Sequence, residues 1–173
     1  MHLSSLPSPH GIGSMGAPAR RFADFLQPAG QACWQLLPVC PTSYGDSPYQ
    51  SFSTFAGNPY FIDLDELERQ GYLRREEYEN IDWECGPDRI NYGVLYEKRY
   101  PVLEKAAERF RENPPGDYET FCRENARWLD DYACFMALKG AHGGAPWFDW
   151  EEPLRNREEQ AITEARLLHA EEI

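Results

Sequence analysis

The chain has 173 residues, 42% of them apolar and 14% aromatic, the composition of a folded domain, or part of one, rather than of a disordered chain. Its 29 acidic and 17 basic side chains give a formal charge of −12, which excludes the basic face that nucleic acid or an anionic membrane would require. The longest apolar run, around Leu36, is too short to cross a bilayer and no signal peptide precedes it, so a soluble, cytosolic protein is expected.

Residues 1–63 are poor in charge and rich in Pro, Gly, Ser and aromatic side chains. Met1 to Leu6 reads as the end of a strand. Ala17-Pro18 opens a helix, with Phe22, Phe25 and Leu26 on one face and Gly30 just past its end. Cys33-Trp34-Gln35-Leu36-Leu37-Pro38-Val39 is a short apolar run between breakers, the pattern of a buried parallel strand. Helix followed by buried strand is the unit of an α/β fold.

Residues 64–117 are highly charged. Asp63 or Asp65 caps a short helix through Gln70, and Gly71 ends it. Breaks fall at Cys85-Gly86-Pro87-Asp88 and Asn113-Pro114-Pro115-Gly116. Between them Leu95, Leu103, Ala106, Ala107 and Phe110 recur at helical spacing, with Pro101 at a kink or first turn. Residues 118–173 read as helix. One stretch runs from an Asp117 cap through Phe121, Trp128, Leu129, Tyr132, Phe135, Met136 and Leu138. After an interruption from Gly140 to Pro146, another starts near Pro153 and carries Leu154, Ala161, Ile162, Ala165 and Leu168. These stripes are packing faces.

The five cysteines are an odd set without a C-x-x-C pair, and the four histidines lack metal-ligand spacing. Reduced thiols, no disulfide frame, no metal and no organic cofactor are expected. There is no G-x-S-x-G, phosphate loop or dinucleotide fingerprint; Gly11-Ile12-Gly13-Ser14-Met15-Gly16 has the wrong glycine spacing.

The densest chemistry lies in residues 41–60, directly after the apolar run, where α/β folds keep their sites. Tyr44, Tyr49, Phe52, Phe55 and Tyr60 offer flat apolar faces, and Asp46, Ser47, Gln50, Ser51 and Asn58 offer donors and acceptors. Rings beside polar groups of both kinds suit a sugar; a packed, hydrogen-bonded loop explains the same residues as well. Gly143-Gly144-Ala145-Pro146-Trp147-Phe148-Asp149-Trp150 is either a second sugar platform or a clamp between two helices, with the clamp favoured. Most carboxylates sit in runs such as Glu76 to Glu79, explained by solvated helix faces, and only Asp46 and Asp63 have site-like surroundings. Two opposed carboxylates, which glycosidic cleavage requires, are not evident.

Leu3-Ser4-Ser5-Leu6-Pro7-Ser8-Pro9-His10-Gly11-Ile12-Gly13, then Trp34-Gln35-Leu36-Leu37-Pro38, then the run from Tyr44 to Tyr60 closely resemble the amino-terminal part of 4-alpha-glucanotransferases (amylomaltases). Asn91-Tyr92-Gly93, Phe135-Met136-Ala137-Leu138-Lys139, Pro146-Trp147 and the acidic last helix follow in the same order. The resemblance implies an incomplete (β/α)₈ TIM barrel: residues 1–63 begin the barrel with its substrate-binding loop, and residues 64–173 form a mainly helical insertion. It implies transfer of α-1,4-glucan segments between maltodextrins or to glucose, with retention, by carboxylates on later strands that this chain does not contain. No catalytic residue is therefore assigned. Asp46, Ser47 and Tyr49 are implied at the donor-sugar side, and Tyr44 and Tyr92 as rings holding glucan away from the cleavage point. His10 and Ser14 depart from the Tyr and Asp common in that first loop. A stand-alone, non-catalytic glucan-binding or helical interaction domain is the alternative.

Overall fold

The computed structural model of the protein describes residues 1–86 and 88–173. The chain divides into two compact units, Met1–Pro115 and Gly116–Ile173. No helix among the described residues is long and apolar enough to cross a membrane.

Local signals lay down the first unit. Pro18 sits in the opening turn of α1 (Ala17–Leu26), where a missing N–H costs nothing. Gly30 takes the left-handed backbone, φ 73°, that the bend beyond the helix requires. Asp63 accepts the Glu66 N–H at 2.9 Å and starts α2 (Leu64–Arg69). Asn91 caps α3 (Tyr92–Glu112) in the same way, through the Val94 N–H. Pro101 lies inside α3 on its exposed side, removing one rung of the ladder without ending the helix.

Leu3, Leu6, Ile12 and Phe61 share one core with Leu64, Leu73, Tyr78, Trp83, Leu95 and Val102. Residues 1–63 and 64–115 thus bury their apolar faces against each other. A charge sits in the same core. Arg99, 1% exposed, donates from Nη1 to the His10 carbonyl at 3.1 Å and from Nη2 to the Ile62 carbonyl at 2.6 Å. Its guanidinium lies 5.8 Å from the Trp83 ring centroid. Burial lowers the Arg99 pKa to about 10, with nearby Asp63 opposing the shift. The side chain pins two distant loop carbonyls to α3.

The first loop folds back tightly on this frame. The Met15 N–H reaches the Phe61 carbonyl at 2.9 Å, and the Ser14 hydroxyl donates to Asp63 Oδ2 at 2.5 Å. At Gly13 a Cβ would overlap the Leu3 carbonyl oxygen, and at Gly16 the Asp63 carboxylate.

The expected strands are not formed. Among the described residues the only ladder element is an isolated antiparallel bridge between Gly86 and Arg89, flanking Pro87 of the expected break at 85–88, which lies outside those residues. Residues 33–39 carry no strand, and Leu3–Ser5 is a 3₁₀ turn. Nor is the run buried: Cys33, Gln35, Leu37 and Pro38 are exposed, because a strand exists, and is covered, only where a neighbour completes its hydrogen bonds. In residues 33–39 the Val39 carbonyl is bonded, by the Asn58 N–H at 2.9 Å. Trp34 Nε1 instead donates to the Met1 carbonyl at 2.7 Å, laying the two runs together through a side chain.

The second unit contains α4 (Tyr118–Asn125), α5 (Leu129–Ala141), α6 (Glu152–Arg155) and α7 (Glu159–Leu168). Helix α7 packs on α5 and α6 around Cys134, Leu138, Trp150 and Ala165. Both helices expected here are interrupted. Asn125 donates to the Phe121 carbonyl and accepts from Trp128 Nε1, side-chain bonds that compete with the helical ladder and end α4. Asp117 makes no side-chain cap. Beyond α6, the Arg157 N–H reaches the Leu154 carbonyl and the Glu158 N–H the Pro153 carbonyl, the paired bonds of a Schellman ending. Arg157 therefore adopts φ 56°, where glycine is the usual residue.

Candidate functional site

The segment after residue 41 forms a self-closed loop. The Asp46 N–H bonds the Ser43 carbonyl at 3.0 Å across a turn whose third residue, Gly45, has φ 94°. Asp46 is itself left-handed at φ 55°, a conformation Asp tolerates better than most residues. A second turn returns the Gln50 N–H to the Ser47 carbonyl, and the Ser43 N–H closes the loop on the Gln50 carbonyl, both at 3.0 Å. Ser47 Oγ accepts the Tyr49 N–H at 3.3 Å, and Ser53 Oγ takes the N–H groups of Phe55 and Ala56. With these backbone groups paired, the side chains are free to face outward. Tyr44 is fully exposed and Tyr49 is 73% exposed.

Asp46 and Tyr92 converge on a cavity of about 250 Å³ between the first loop and this one, lined also by His2, Thr42, Asn58 and Phe61. Asp46 is the only carboxylate among its lining residues. Burial raises the Asp46 pKa, offset in part by a hydrogen bond from the Thr42 side chain. The Tyr92 ring lies 6.1 Å from that of Tyr60. Burial raises the pKa of Tyr92 and of Tyr60, and the negative charge of Asp46 adds to both.

Of the residues singled out from sequence, Asp46 and Tyr92 meet in this cavity. Ser47 lies in the loop without lining it, and Tyr44 and Tyr49 stand at the surface. Tyr60, read as a surface ring, is buried at 5% exposure beneath the loop, where the Asn58 side chain holds its N–H at 2.9 Å. Sequence reasoning overlooked His2. Its ring stands edge-on to Phe61, and its Nδ1 is buried with no partner among the described residues. Burial lowers the His2 pKa. A lone histidine at position 2 has no spacing signal; only the fold brings it to Thr42, Asp46 and Asn58. Among the described residues, no group of three or more metal-binding side chains is assembled.

Two aromatic rings, Phe61 and Tyr92, thus share a small cleft with the oxygen groups of Thr42, Asp46 and Asn58. Residues 1–173 match the family profile described as 4-alpha-glucanotransferase, glycoside hydrolase 77. The chain is 51% identical over its whole length to the 4-alpha-glucanotransferase of Thermus thermophilus, of which it covers 34%. It is 45% identical over 94% of its length to that of Clostridium butyricum, of which it covers 33%. Its backbone superposes on the amylomaltase of Streptococcus agalactiae, solved with acarbose, with a TM-score of 0.94 at 40% identity, over 99% of this chain and 35% of that one. The chain belongs to the 4-alpha-glucanotransferase family, and it spans about a third of the length of the relatives it matches.

Proposed function

We propose that this chain is the amino-terminal part of a cytoplasmic 4-alpha-glucanotransferase of maltodextrin, glycogen or starch metabolism. In this reading residues 1–63 begin a (β/α)₈ barrel, with residues 1–6 and 33–39 pairing as strands once later strands lie beside them. Residues 64–173 form the insertion. The chain supplies a sugar-gripping wall: Asp46, Ser47 and Tyr49 on the donor side, Tyr44 and Tyr92 on the glucan further out. A retaining transfer needs two carboxylates roughly 5–5.5 Å apart, one as nucleophile and one as acid/base. With Asp46 the only acid on the cavity, the pair belongs to barrel strands outside these residues. Glucose or a second dextrin is the acceptor, and carboxylates alone serve this chemistry without a cofactor.

The observation that carries the reading is the superposition of almost the whole chain on an amylomaltase that holds acarbose. Calorimetric titration with acarbose and with maltoheptaose tests it. Saturable binding that Tyr49→Ala weakens about tenfold, a loss of about 1.4 kcal/mol, with no glucose released from maltotriose, is expected. Turnover of maltotriose by these residues alone, or no glucan binding, overturns it.

A further inference from the structure

The second unit has a cavity of its own, about 350 Å³, within the range of small-ligand sites. Its walls include Phe135, Leu138, Trp150 and Ile162, and its mouth carries Trp147, Asp131, Arg155 and Arg157. The two tryptophans have separate duties. Trp150 is 7% exposed, stacks on the His142 ring with centroids 4.9 Å apart and donates Nε1–H to the Ala145 carbonyl; it is the clamp. Trp147 is 52% exposed beside Phe148 at 57%. Its indole meets the Phe148 ring edge-on, with centroids 6.1 Å apart, at the cavity mouth.

The polar rim is fixed at a conformational cost. Arg157 keeps the left-handed position where glycine would be at ease, and its guanidinium reaches Asp131 at 3.1 Å while Arg166 holds the other oxygen at 3.0 Å. Backbone strain of this kind, about 1 kcal/mol for a non-glycine residue, persists where the side chain is needed. Asp131 is thereby neutralised and aimed. Arg155 has no carboxylate within ion-pair distance among the described residues, only a long 3.4 Å bond to the Phe148 carbonyl. In a chain of net charge −12, this mouth is not acidic. It presents a flat exposed ring, guanidinium donors and a carboxylate acceptor together. That set matches a pyranose, whose C–H face stacks on an indole and whose hydroxyls both donate and accept. An organic anion would meet the Asp131 carboxylate.

We propose that Trp147, with Arg155 and Asp131, forms a non-catalytic glucan-holding site on the second unit, taking glucosyl units of an α-1,4-glucan. It rests on the reading of α-glucan as the substrate and adds a second hold for the same chain of sugars.

The test is an NMR titration of the ¹⁵N-labelled full chain with maltoheptaose, following the Trp147 indole N–H and the amides of residues 43–50 and 146–157. Saturating shifts at Trp147, with affinity there reduced about tenfold in Trp147→Ala and several-fold in Arg155→Ala, support the site. Both side chains reach solvent, so the variants fold, and unchanged amide dispersion checks this. Shifts confined to residues 43–50 overturn the Trp147 site and leave the first reading standing. Shifts confined to Trp147 support the site while removing the role proposed for the Tyr44 to Tyr49 loop. Silence at both positions overturns both. If anilinonaphthalene sulfonate moves the Trp147 signal and maltoheptaose does not, the site belongs to organic anions and the proposal falls.

Discussion

The two units are both helical but are held together by different means. Among the described residues, the first buries twelve core side chains over 115 residues and inserts Arg99 among them to tie two loop carbonyls to a helix. The second buries four over 58 residues and has no buried charge of that kind among those described; its exposed pairs, Arg157 and Arg166 on Asp131 and His142 on Glu151, are of the sort the first unit also carries, as at Arg20–Glu66 and Lys98–Glu84. Exposed pairs contribute little each and weaken with salt. The second unit is therefore expected to unfold at lower denaturant than the first.

The sharpest way to break this difference is Arg99→Ala. The buried His10 carbonyl and the half-buried Ile62 carbonyl lose their donor and a cavity opens beside Trp83, a cost of about 3–5 kcal/mol. The later of two urea transitions, read by far-ultraviolet circular dichroism, should move down to meet the earlier one. Two well-separated transitions in this variant would refute the role given to Arg99. Gly16→Ala comes next. Its new Cβ displaces the Asp63 carboxylate, which both caps α2 and receives the Ser14 hydroxyl. A loss of about 1–3 kcal/mol, again in the later transition, is expected.

Proton linkage separates the units further. The Glu151 carboxylate and the Leu138 carbonyl, which meet the two ring nitrogens of His142, raise its pKa above 6.5. That contribution is complete below about pH 6.5 and disappears as pH climbs through the raised value. His142 in turn lowers the Glu151 pKa, so the carboxylate's share is present above about pH 4.5 and fades on acidification. In the first unit, chiefly the Arg109 hydrogen bonds hold Glu77 at about 2. Its share persists above pH 4.5 and is lost only on descent towards pH 2. Midpoints compared at about pH 5.5 and about pH 8.5 should fall with rising pH for the second unit alone, and His142→Gln should abolish that fall. The smallest effect belongs to Tyr44→Ala. Full exposure limits its cost to about 0.5 kcal/mol, while maltoheptaose affinity drops; a large loss of stability would show the ring to be structural.

Helix positions were legible because Pro18, Asp63 and Gly30 act locally, each satisfying or sparing a backbone group within a few residues, whereas the Asn91 cap went unread. Residues 33–39 carry the apolar pattern of a buried strand, yet a strand forms only beside a neighbour that completes its hydrogen bonds, and among the described residues none lies there. Residue types singled out Asp46 and Tyr92, which meet in the cavity, but the cavity itself could not be read. It needs residues 2, 42, 46, 58 and 92 brought together by a core that no short window displays. Arg99 carried no signal either: on a helix rich in charges it looks like one more solvated side chain. The split between Trp147 and Trp150 likewise turns on three residues of 3₁₀ backbone, Trp147–Asp149, which point one indole inward and leave the other outside.

The loop that closes from Ser43 to Gln50 behaves as a cassette. Its turns are bonded to themselves, so the rings it displays are accessories to the scaffold. Swapping Tyr44 or Tyr49 for another planar side chain would change the surface the loop presents and leave the frame beneath undisturbed.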